Sequence, residues 1–495
     1  MTEKVLSSKS GLPTALCGTV SLHSRYNPEK EAETYIASLS LRSDTAFFIL
    51  LEPGLDYLAQ VLQRQFPQSR TISLHCSAYM AGHALPNAGA VWVSGSPVSL
   101  EDFLAQHIDD GDAVKVKIIE WKPSQTAYGE AYLEMLRESA AFLKMSGANK
   151  RTLRGFGRRW FRNGILNILK AGETLSFTQA SCPVLICGAG PSLESAVPLV
   201  RDLMDRNIPL FIIAAASAFP ALAEAGIDAD MIISTDGGPW ALFHLMESFR
   251  RSGNKKRRPV PCIALSAALP SQYAGLPLLI CGDGSAWQRL LINSLGISAI
   301  HLPQRGTVTA SALDMALALS SGPLYLAGID FSHQDMITHA RPYALDTILE
   351  SSSDRLRPWY SQKYGRAAAI SGSGAHGIYA SWFKKKLKDL ASRSFFLGKS
   401  GALSRDFPVS DLIHPSSGFL PHFYPGAAPS GSVQERLSRA EGMLIKGLRR
   451  PDISETLCGE LGELLLSDGE ESSAAELEKS LGALFNHYRG LLSHG

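Results

Sequence analysis

The middle third of the chain alternates short apolar runs with helical patterns, and this alternation constrains the fold more than any other feature. The runs are rich in Val, Ile, Leu and Cys, and each ends in small or polar residues. They cover residues 184–187, 210–214, 231–234, 262–265, 278–281, 299–302 and 324–327. Fully apolar strands separated by helices are typical of a parallel sheet that is covered on both faces. Such a sheet binds its ligands beyond the carboxyl ends of the strands.

The rest of the chain predicts smaller parts around this sheet, because 495 residues exceed what one core normally organises. The fold class that we expect is α/β: a central Rossmann-like domain with helices on both faces, a smaller N-terminal α/β domain and a C-terminal helical unit. Strand candidates at 45–51, 71–75, 91–94 and 114–120 indicate the N-terminal domain. The predicted parts are 1–123 (α/β), 124–175 (helical basic connector), 176–412 (central domain), 413–432 (Pro/Gly/Ser-rich linker) and 433–495 (helices).

Composition excludes several classes of protein. The formal net charge of +2 argues against a general binder of nucleic acid or of membrane surfaces, which needs a large cationic excess. The cysteines are scattered and form no C-x-x-C pair, so we interpret them as buried thiols in a reducing compartment. We see neither a signal peptide nor a run of ~20 apolar residues. The expected location is the cytoplasm, with no membrane span.

Two basic stretches each have a structural and a functional interpretation. The first interleaves aromatic and cationic side chains in the predicted connector, and the second is a cationic run after a helical pattern. The structural interpretation of the first stretch is a solvated helix face at a domain junction, and that of the second is a solvated loop. The functional interpretation of both is contact with an acidic partner. The cations concerned are Lys150, Arg151, Arg154, Arg158, Arg159 and Arg162, and the run from Arg250 to Arg258.

The first candidate site follows the apolar run 184–187 directly and opens a helix. Its sequence is Gly188-Ala189-Gly190-Pro191-Ser192-Leu193, with small residues where backbone N–H groups can approach an anion. A dinucleotide fingerprint would need glycine in place of Leu193 and an acidic residue after the next strand, and this sequence has neither. A Walker motif would need Gly-Lys-Ser/Thr, which is absent. The pattern favours a phosphate or a nucleotide-sugar.

Two further candidates lie where other predicted strands end. Asp236 precedes Gly237-Gly238, where its carboxylate can hold a sugar hydroxyl or a hydrated cation, although ordinary turn chemistry also explains it. Asp330 follows Gly328-Ile329, and His339 comes nine residues later. A carboxylate that orients an imidazole makes an acid/base pair. The alternative is that His339 caps a helix or packs in a loop.

These segments occur in the order seen in one family. Taken together they resemble the MptE-like domain of motility-associated factor (Maf) proteins, the flagellin glycosyltransferases, over roughly residues 20–400. The departures are the turn at 52–57, which is less rich in glycine than in the family, and Asp228-Ala229-Asp230 in place of a Pro-Asp pair. The segments that carry the resemblance are 24–32, 156–160, 188–193, 230–236, 304–308, 328–332 and 338–340.

The resemblance implies transfer of a nonulosonic acid, of the pseudaminic or legionaminic type, from its CMP-activated form to Ser or Thr of flagellin. It implies that a CMP-sugar is the donor substrate, that flagellin is the acceptor and that no cofactor is obligatory. We predict His339 as the base, alone or paired with Asp330, with His376 in reserve. The residues expected to bind the substrate are Gly188, Gly190, Pro191, Ser192, Asp236, Gly237, Thr307 and Gly328.

Two other functions stay open. The related archaeal pterin diphosphokinases transfer diphosphate from ATP, and there Asp236 and Asp330 would hold Mg²⁺. A non-catalytic carrier would hold flagellin through the helical C-terminus and the basic stretch. The sequence names neither the sugar, the acceptor sites nor the oligomeric state.

Overall fold

A computed structural model describes residues 2–108, 115–206, 208–252, 258–303, 305–372, 374–397, 409–410, 418–466 and 472–493. Its contacts divide the chain into two compact units, Met1–Leu153 and Arg154–Gly495. The division falls inside one long helix, within the segment predicted to be a helical connector. The side chains of Lys150, Arg151 and Arg154, and residues 253–257 of the second basic run, lie outside the described part of the chain.

The first unit joins a three-stranded antiparallel sheet to a four-stranded parallel sheet with the order β6-β5-β4-β7. Strand β4 is buried at every position, which explains its run of Phe, Ile and Leu. The elements are β1 (Glu3–Ser7), β2 (Pro13–Cys17), β3 (Val20–Ser21), α1 (Pro28–Ser38), β4 (Phe47–Leu51), α2 (Tyr57–Gln65), β5 (Arg70–His75), α3 (Ala78–His83), β6 (Ala90–Val93), α4 (Leu100–His107), β7 (Val116–Glu120), α5 (Lys122–Tyr128) and α6 (Glu130–Lys170). The predicted N-terminal α/β architecture is confirmed.

The second unit is built on a nine-stranded sheet in which every pair of neighbours is parallel. Its core is formed by the apolar strands and by α11, which packs against β9, β10 and β11. The elements are β8 (Leu175–Phe177), β9 (Val184–Cys187), α7 (Leu193–Asp205), β10 (Phe211–Ala215), α8 (Phe219–Glu224), β11 (Met231–Ser234), α9 (Pro239–Ser252), β12 (Val260–Ala264), β13 (Leu279–Gly282), α10 (Ala286–Leu295), β14 (Ala299–His301), α11 (Val308–Leu319), β15 (Leu324–Ala327), α12 (Ala344–Ser351), α13 (Trp359–Gly372), α14 (Gly374–Asp389), β16 (Ser394–Leu397), β17 (Val409–Ser410), β18 (Phe423–Pro425), α15 (Val433–Leu448), α16 (Ser454–Leu465) and α17 (Ala474–Ser493).

The strand order of the large sheet is β14-β13-β12-β11-β10-β9-β15-β16-β17. Strands β9 to β14 therefore follow one another on one side of β9, and β15 then pairs with β9 on its other side. Parallel connections that wind in opposite directions place helices on both faces, and the reversal between β9 and β15 is a topological switch point. The predicted Rossmann-like domain is confirmed, and its switch point lies between the two segments that the sequence singled out.

Helices α12 to α14 and strands β16 to β18 were not predicted. The exposed side of α13 carries aromatic residues such as Tyr360 and Tyr364, so the helical period of polar and apolar residues is obscured. His376, the base held in reserve, lies in α14. Strands β16 to β18 are only two to four residues long, too short for an alternating pattern to be recognised.

Part of the predicted linker packs as a strand. Residues 423–425 form β18, which pairs with β8, and Gly426 N donates to Thr174 O at 2.7 Å. The three predicted C-terminal helices are confirmed as α15, α16 and α17. They pack on the large-sheet unit, where Arg436 donates to Ala171 O at 2.8 Å and Gly447 lies against Leu290. None of the helices in the described ranges is long and apolar enough to cross a bilayer.

Candidate functional site

Two glycine-containing loops meet back to back at the switch point, one after β9 and one after β15. A Cβ at Gly188 would lie 2.4 Å from Gly328 O, and a Cβ at Gly328 would lie 2.2 Å from Gly188 O. Gly328 also has a φ of +67°, which side-chain-bearing residues rarely adopt. These glycines are therefore required by the contact between the loops.

The carboxylate of Asp330 reaches from the second loop to the start of α7. Its Oδ2 accepts a hydrogen bond from Ser192 N at 2.9 Å, and a Cβ on Gly190 would lie 2.2 Å from the same oxygen. Gly190 N donates to Gly328 O at 2.7 Å, and Pro191 has no N–H. The N–H groups of Gly190 and Ser192 were expected to be available for a phosphate, but in this conformation they bind Gly328 and Asp330. The small residues of this loop close on the carboxylate of Asp330, and the predicted binding of a phosphate stays a prediction.

The expected pairing of Asp330 with His339 is not formed in the described structure. His339 Nδ1 lies 3.0 Å from Thr338 Oγ1, and the ring stacks on Tyr343 with centroids 3.9 Å apart. The loop that carries His339 is nevertheless joined to the glycine loop, because Ala340 N donates to Ala189 O at 2.8 Å. Asp330 and His339 belong to one site, but Asp330 orients Ser192 rather than the imidazole.

A cluster of aromatic and cationic side chains surrounds His339. Burial, reinforced by the charge of Arg366 and by two other histidines, lowers the pKa of His339 to about 3. Burial and Arg366 likewise lower the pKa of His244 to about 4, and burial raises the pKa of Tyr343 to about 12. At neutral pH both imidazoles are uncharged, so His339 has a lone pair available to accept a proton.

Cations line the small pocket beside His339. Arg341, Lys363 and Arg366 surround it, with the acidic Asp346 at its edge. Arg366 is tied to Asp346 at 3.0 Å and lies over the ring of Tyr343, while Arg341 is paired with Glu194. Three cations beside a neutral imidazole favour an anionic group such as a carboxylate or a phosphate.

The Asp236 loop follows β11, two strands from β9. Asp236 is exposed, and its Oδ1 accepts from Gly238 N at 2.7 Å, which is the turn chemistry that the sequence left open. Gly237 is buried, and a Cβ there would lie 2.3 Å from the ring of Trp160. Parallel strands are ~4.8 Å apart, so the ends of β9 and β11 are separated by about 10 Å, the size of a nucleotide. The charge of Asp236 also acts on Tyr343, which stacks on His339.

Thr307 lies at the N-cap of α11, without a side-chain capping bond. The adjacent Gly306 packs on Tyr379, whose ring neighbours Phe331 at 6.3 Å and His376 at 6.3 Å. Burial lowers the pKa of His376. This segment therefore reaches the same loops as Asp330, while Gln304 lies outside the described residues.

Several residues of the site were missed by the sequence reasoning. Tyr343, His244 and Arg366 come from helices or loops with no motif of their own. Ser192 Oγ has no hydrogen-bond partner in the described part of the chain although Ser192 is only 8% exposed. A buried unpartnered hydroxyl at a switch point is suited to a ligand. In the sequence, only the position of Ser192 after a predicted strand could have indicated that its hydroxyl is suited to a ligand.

The alternative role of Asp236 and Asp330 as ligands of Mg²⁺ stays a prediction. The Asp330 carboxylate is 6% exposed and accepts the Ser192 N–H, and the described residues contain no group of three His, Cys, Asp or Glu side chains placed to hold a metal. Mg²⁺ needs several oxygen ligands in near-octahedral geometry. One oxygen of Asp330 is thus already engaged by Ser192 N, and Mg²⁺ would take its further oxygen ligands from a phosphate or from water.

The N-terminal unit has a buried charged cluster at the corresponding sheet edge. The side chains of Glu52, Asp56 and His75 are fully buried, with His75 Nδ1 3.2 Å from Glu52 Oε1 and Nε2 3.5 Å from Asp56 Oδ2. Ser73 and Asn87 donate to Asp56 as well. The turn at 52–57, which departs from the family pattern, thus holds an internal ion cluster.

Comparison with known proteins matches the central part of the chain. Residues 159–336 match the family model of 6-hydroxymethylpterin diphosphokinase MptE-like proteins. An uncharacterized protein of Treponema pallidum (strain Nichols) is 26% identical over 293 residues, 58% of this chain and 60% of that protein. A second uncharacterized protein of that strain is 22% identical over 387 residues, 72% of this chain and 64% of its own length. The chain thus spans less than two thirds of these relatives. The structure of a Maf glycosyltransferase from Magnetospirillum magneticum AMB-1 aligns with a TM-score of 0.47 at 13% identity, covering 99% of this chain and 87% of that one.

Proposed function

The chain carries an MptE-like domain, and from that premise we propose that it is a glycosyltransferase with a nucleotide-activated sugar as donor. The donor class that we infer is a CMP-nonulosonic acid, and the acceptor is a Ser or Thr of flagellin. The observation that carries the proposal is the meeting of the Gly188–Ser192 and Gly328–Asp330 loops at the switch point of the sheet, with His339 tied to them. The order of the family's segments along the chain supports the choice of donor and acceptor.

The site has complementary places for such a donor. The cytidine phosphate would lie along the switch point, near the unpartnered hydroxyl of Ser192 and within reach of Asp236. The carboxylate of a nonulosonic acid would face the cationic pocket of Arg341, Lys363 and Arg366. Bidentate guanidinium groups recognise carboxylates well, and several cations around one anion make the recognition specific.

In this mechanism, CMP leaves from the anomeric carbon as the acceptor hydroxyl attacks that carbon. His339 takes the hydroxyl proton, so the bond to the acceptor oxygen forms while the bond to the phosphate oxygen breaks. A pKa of about 3 makes His339 a weak base in the free protein. The negative charges of a bound donor favour the imidazolium and raise this pKa toward neutrality. A base placed in this way contributes roughly 10²–10⁴-fold to the rate.

The second candidate is a diphosphotransfer from ATP, because the matching family model carries that description. It would require Mg²⁺ on a triphosphate, and the Asp330 carboxylate is already bound to Ser192 N. The third candidate, a non-catalytic flagellin carrier, has no use for a neutral imidazole beside three cations. The geometry therefore favours the glycosyltransferase.

Thermal shift separates the three candidates by ligand. Stabilisation by CMP alone supports the glycosyltransferase, stabilisation by ATP with Mg²⁺ only supports the diphosphokinase, and no shift with either supports the carrier. The change in melting temperature is measured against buffer at saturating ligand.

Co-expression with a flagellin and a CMP-nonulosonate supply tests the base, with intact-mass measurement of the flagellin. We expect a sugar-sized increment with the unchanged chain and a loss of roughly 10²-fold or more in transfer rate with His339→Ala. His487→Ala, an exposed histidine on α17, is the matched control and should transfer normally. Full transfer by His339→Ala would remove His339 from the mechanism.

A further inference from the structure

The C-terminal turns of α6 carry two asparagines on one face, Asn163 and Asn167, four residues apart. Each side-chain amide donates to two backbone carbonyls at the carboxyl edge of the large sheet. Asn163 Nδ2 donates to Gly237 O and to Ser266 O, both at 3.1 Å. Asn167 Nδ2 donates to Leu265 O at 2.9 Å and to Ala267 O at 2.8 Å.

The two asparagines differ in what they hold. Asn167 binds only the loop after β12, whereas Asn163 joins the loop after β12 to the loop that carries Asp236. One turn before Asn163, Trp160 covers Gly237 so closely that no side chain fits there. The segment 236–238 is thereby held against α6 at its central residue.

Other hydrogen bonds fix the loop after β12 to which the Asn163 side chain binds. Ala268 N donates to Asp236 O at 3.0 Å, which binds the two loops together directly. Gln288 Nε2 donates to Ser266 Oγ at 3.0 Å and to Asp283 Oδ2 at 2.8 Å, so the loop after β12 is fixed from its other side. Asn163 therefore links the Asp236 loop to a loop that is already immobilised.

We propose that Asn163 is a positioning residue that fixes the carboxylate of Asp236 for binding the donor. The inference rests on the proposed function, because it takes Asp236 to be part of the donor site. Asn163 acts through the carbonyl of Gly237, and the exposed Asp236 side chain is the group that meets the ligand. A displaced carboxylate loses its hydrogen bond to the ligand, and a hydrogen bond to a charged group contributes about ten- to a hundredfold to affinity.

A matched pair of variants separates positioning from plain stability. Asn163→Ala and Asn167→Ala each remove one amide and leave two buried carbonyls without their donor, so both should lower the urea midpoint of unfolding by similar amounts. Only Asn163→Ala should weaken CMP binding, by about ten- to a hundredfold in Kd. Asn167→Ala should stay within about twofold of the unchanged chain. Isothermal titration with CMP measures both.

Hydrogen exchange of the unliganded full chain supplies a second readout that needs no donor. The Gly238 amide donates to Asp236 Oδ1, so its exchange rate reports directly on the Asp236 turn. Asn163→Ala should accelerate exchange in the peptide containing 236–238, and Asn167→Ala should leave it unchanged. Unaltered exchange in Asn163→Ala, or equal loss of CMP binding in both variants, would overturn the proposal. If the unchanged chain does not bind CMP, the proposed function fails, and the exchange result alone decides whether Asn163 positions Asp236.

Discussion

The Asp330 carboxylate occupies the place at the start of α7 where a bound anion is normally expected. It accepts the Ser192 N–H and leaves no room for a side chain on Gly190. The N-terminus of a helix favours negative charge through its exposed N–H groups and its dipole. A single residue thus joins the two loops of the site and sets their spacing, and its predicted part in catalysis stays a prediction.

Gly190→Ala should be destabilising for this reason. The new methyl group would lie 2.2 Å from Asp330 Oδ2, so the carboxylate or the loop has to move, and we expect a loss of about 1–3 kcal/mol in the free energy of unfolding. Gly365→Ala on α13 is the control, because nothing lies within 4 Å of its added Cβ. That variant should be neutral or gain about 0.5–1 kcal/mol. Pulse proteolysis across a urea titration measures the free energy of unfolding of both variants. Equal effects of the two substitutions would contradict the close approach of Gly190 to Asp330.

At the scale of elements, a C-terminal helix supplies the N-terminal cap of a helix in the large-sheet unit. Glu460 on α16 accepts from Ala286 N at 2.8 Å and from Trp287 N at 3.1 Å, which are the first two N–H groups of α10. Burial raises the pKa of Glu460 despite these bonds. The predicted helical unit is therefore an integral part of the fold, since it supplies a cap that α10 does not have in its own sequence.

Glu460→Ala should lower the free energy of unfolding by about 1–2 kcal/mol, because two N–H groups lose their acceptor. Glu455→Ala, in the exposed first turn of the same helix, should change it by at most about 0.5 kcal/mol. The measurement is again the urea midpoint of the 154–495 unit by pulse proteolysis. A Glu460→Ala variant as stable as Glu455→Ala would show that the cap contributes nothing.

At the scale of the whole molecule, the two units place different chemistry at similar sheet edges. The large sheet has a neutral imidazole, cations and an unpartnered hydroxyl at its switch point. The smaller sheet has a buried ion cluster in which the ring of His75 lies between the carboxylates of Glu52 and Asp56. Burial acts to lower the pKa of His75, but hydrogen bonds and charges from Asp56 and Glu52 outweigh it and raise this pKa to about 9.

This difference predicts that the N-terminal unit loses stability as the pH rises above 6.5. The pKa of His75 is higher in the folded protein than its ordinary 6.5, so its stabilisation is fully present below pH 6.5 and is lost as pH rises through 9. The loss is on the order of 3 kcal/mol. Pulse proteolysis in urea at pH 6.5 and 8.5, with fragments identified by mass, should show this trend for residues 1–153. His75→Gln should abolish it, whereas His487→Gln should retain it.

Local patterns in the sequence determined the elements and their order. The runs 184–187, 231–234 and 324–327 coincide with β9, β11 and β15, because a fully buried strand must be apolar at every position. The C-terminal helices of residues 433–495 followed from a helical period in the same way. Parallel pairing then brought the loops after these strands to one edge of the sheet.

The tertiary structure alone decided which partner each polar group takes. The Asp330 carboxylate binds Ser192 N instead of His339, and the glycines serve the contact between two loops, because adjacent strands brought these atoms within bonding distance. Tyr343, Arg366 and Asn163 joined the site from helices without a motif. Secondary structure depends on neighbours along the chain, whereas a site depends on residues that are distant in sequence, and no local pattern encodes their distances.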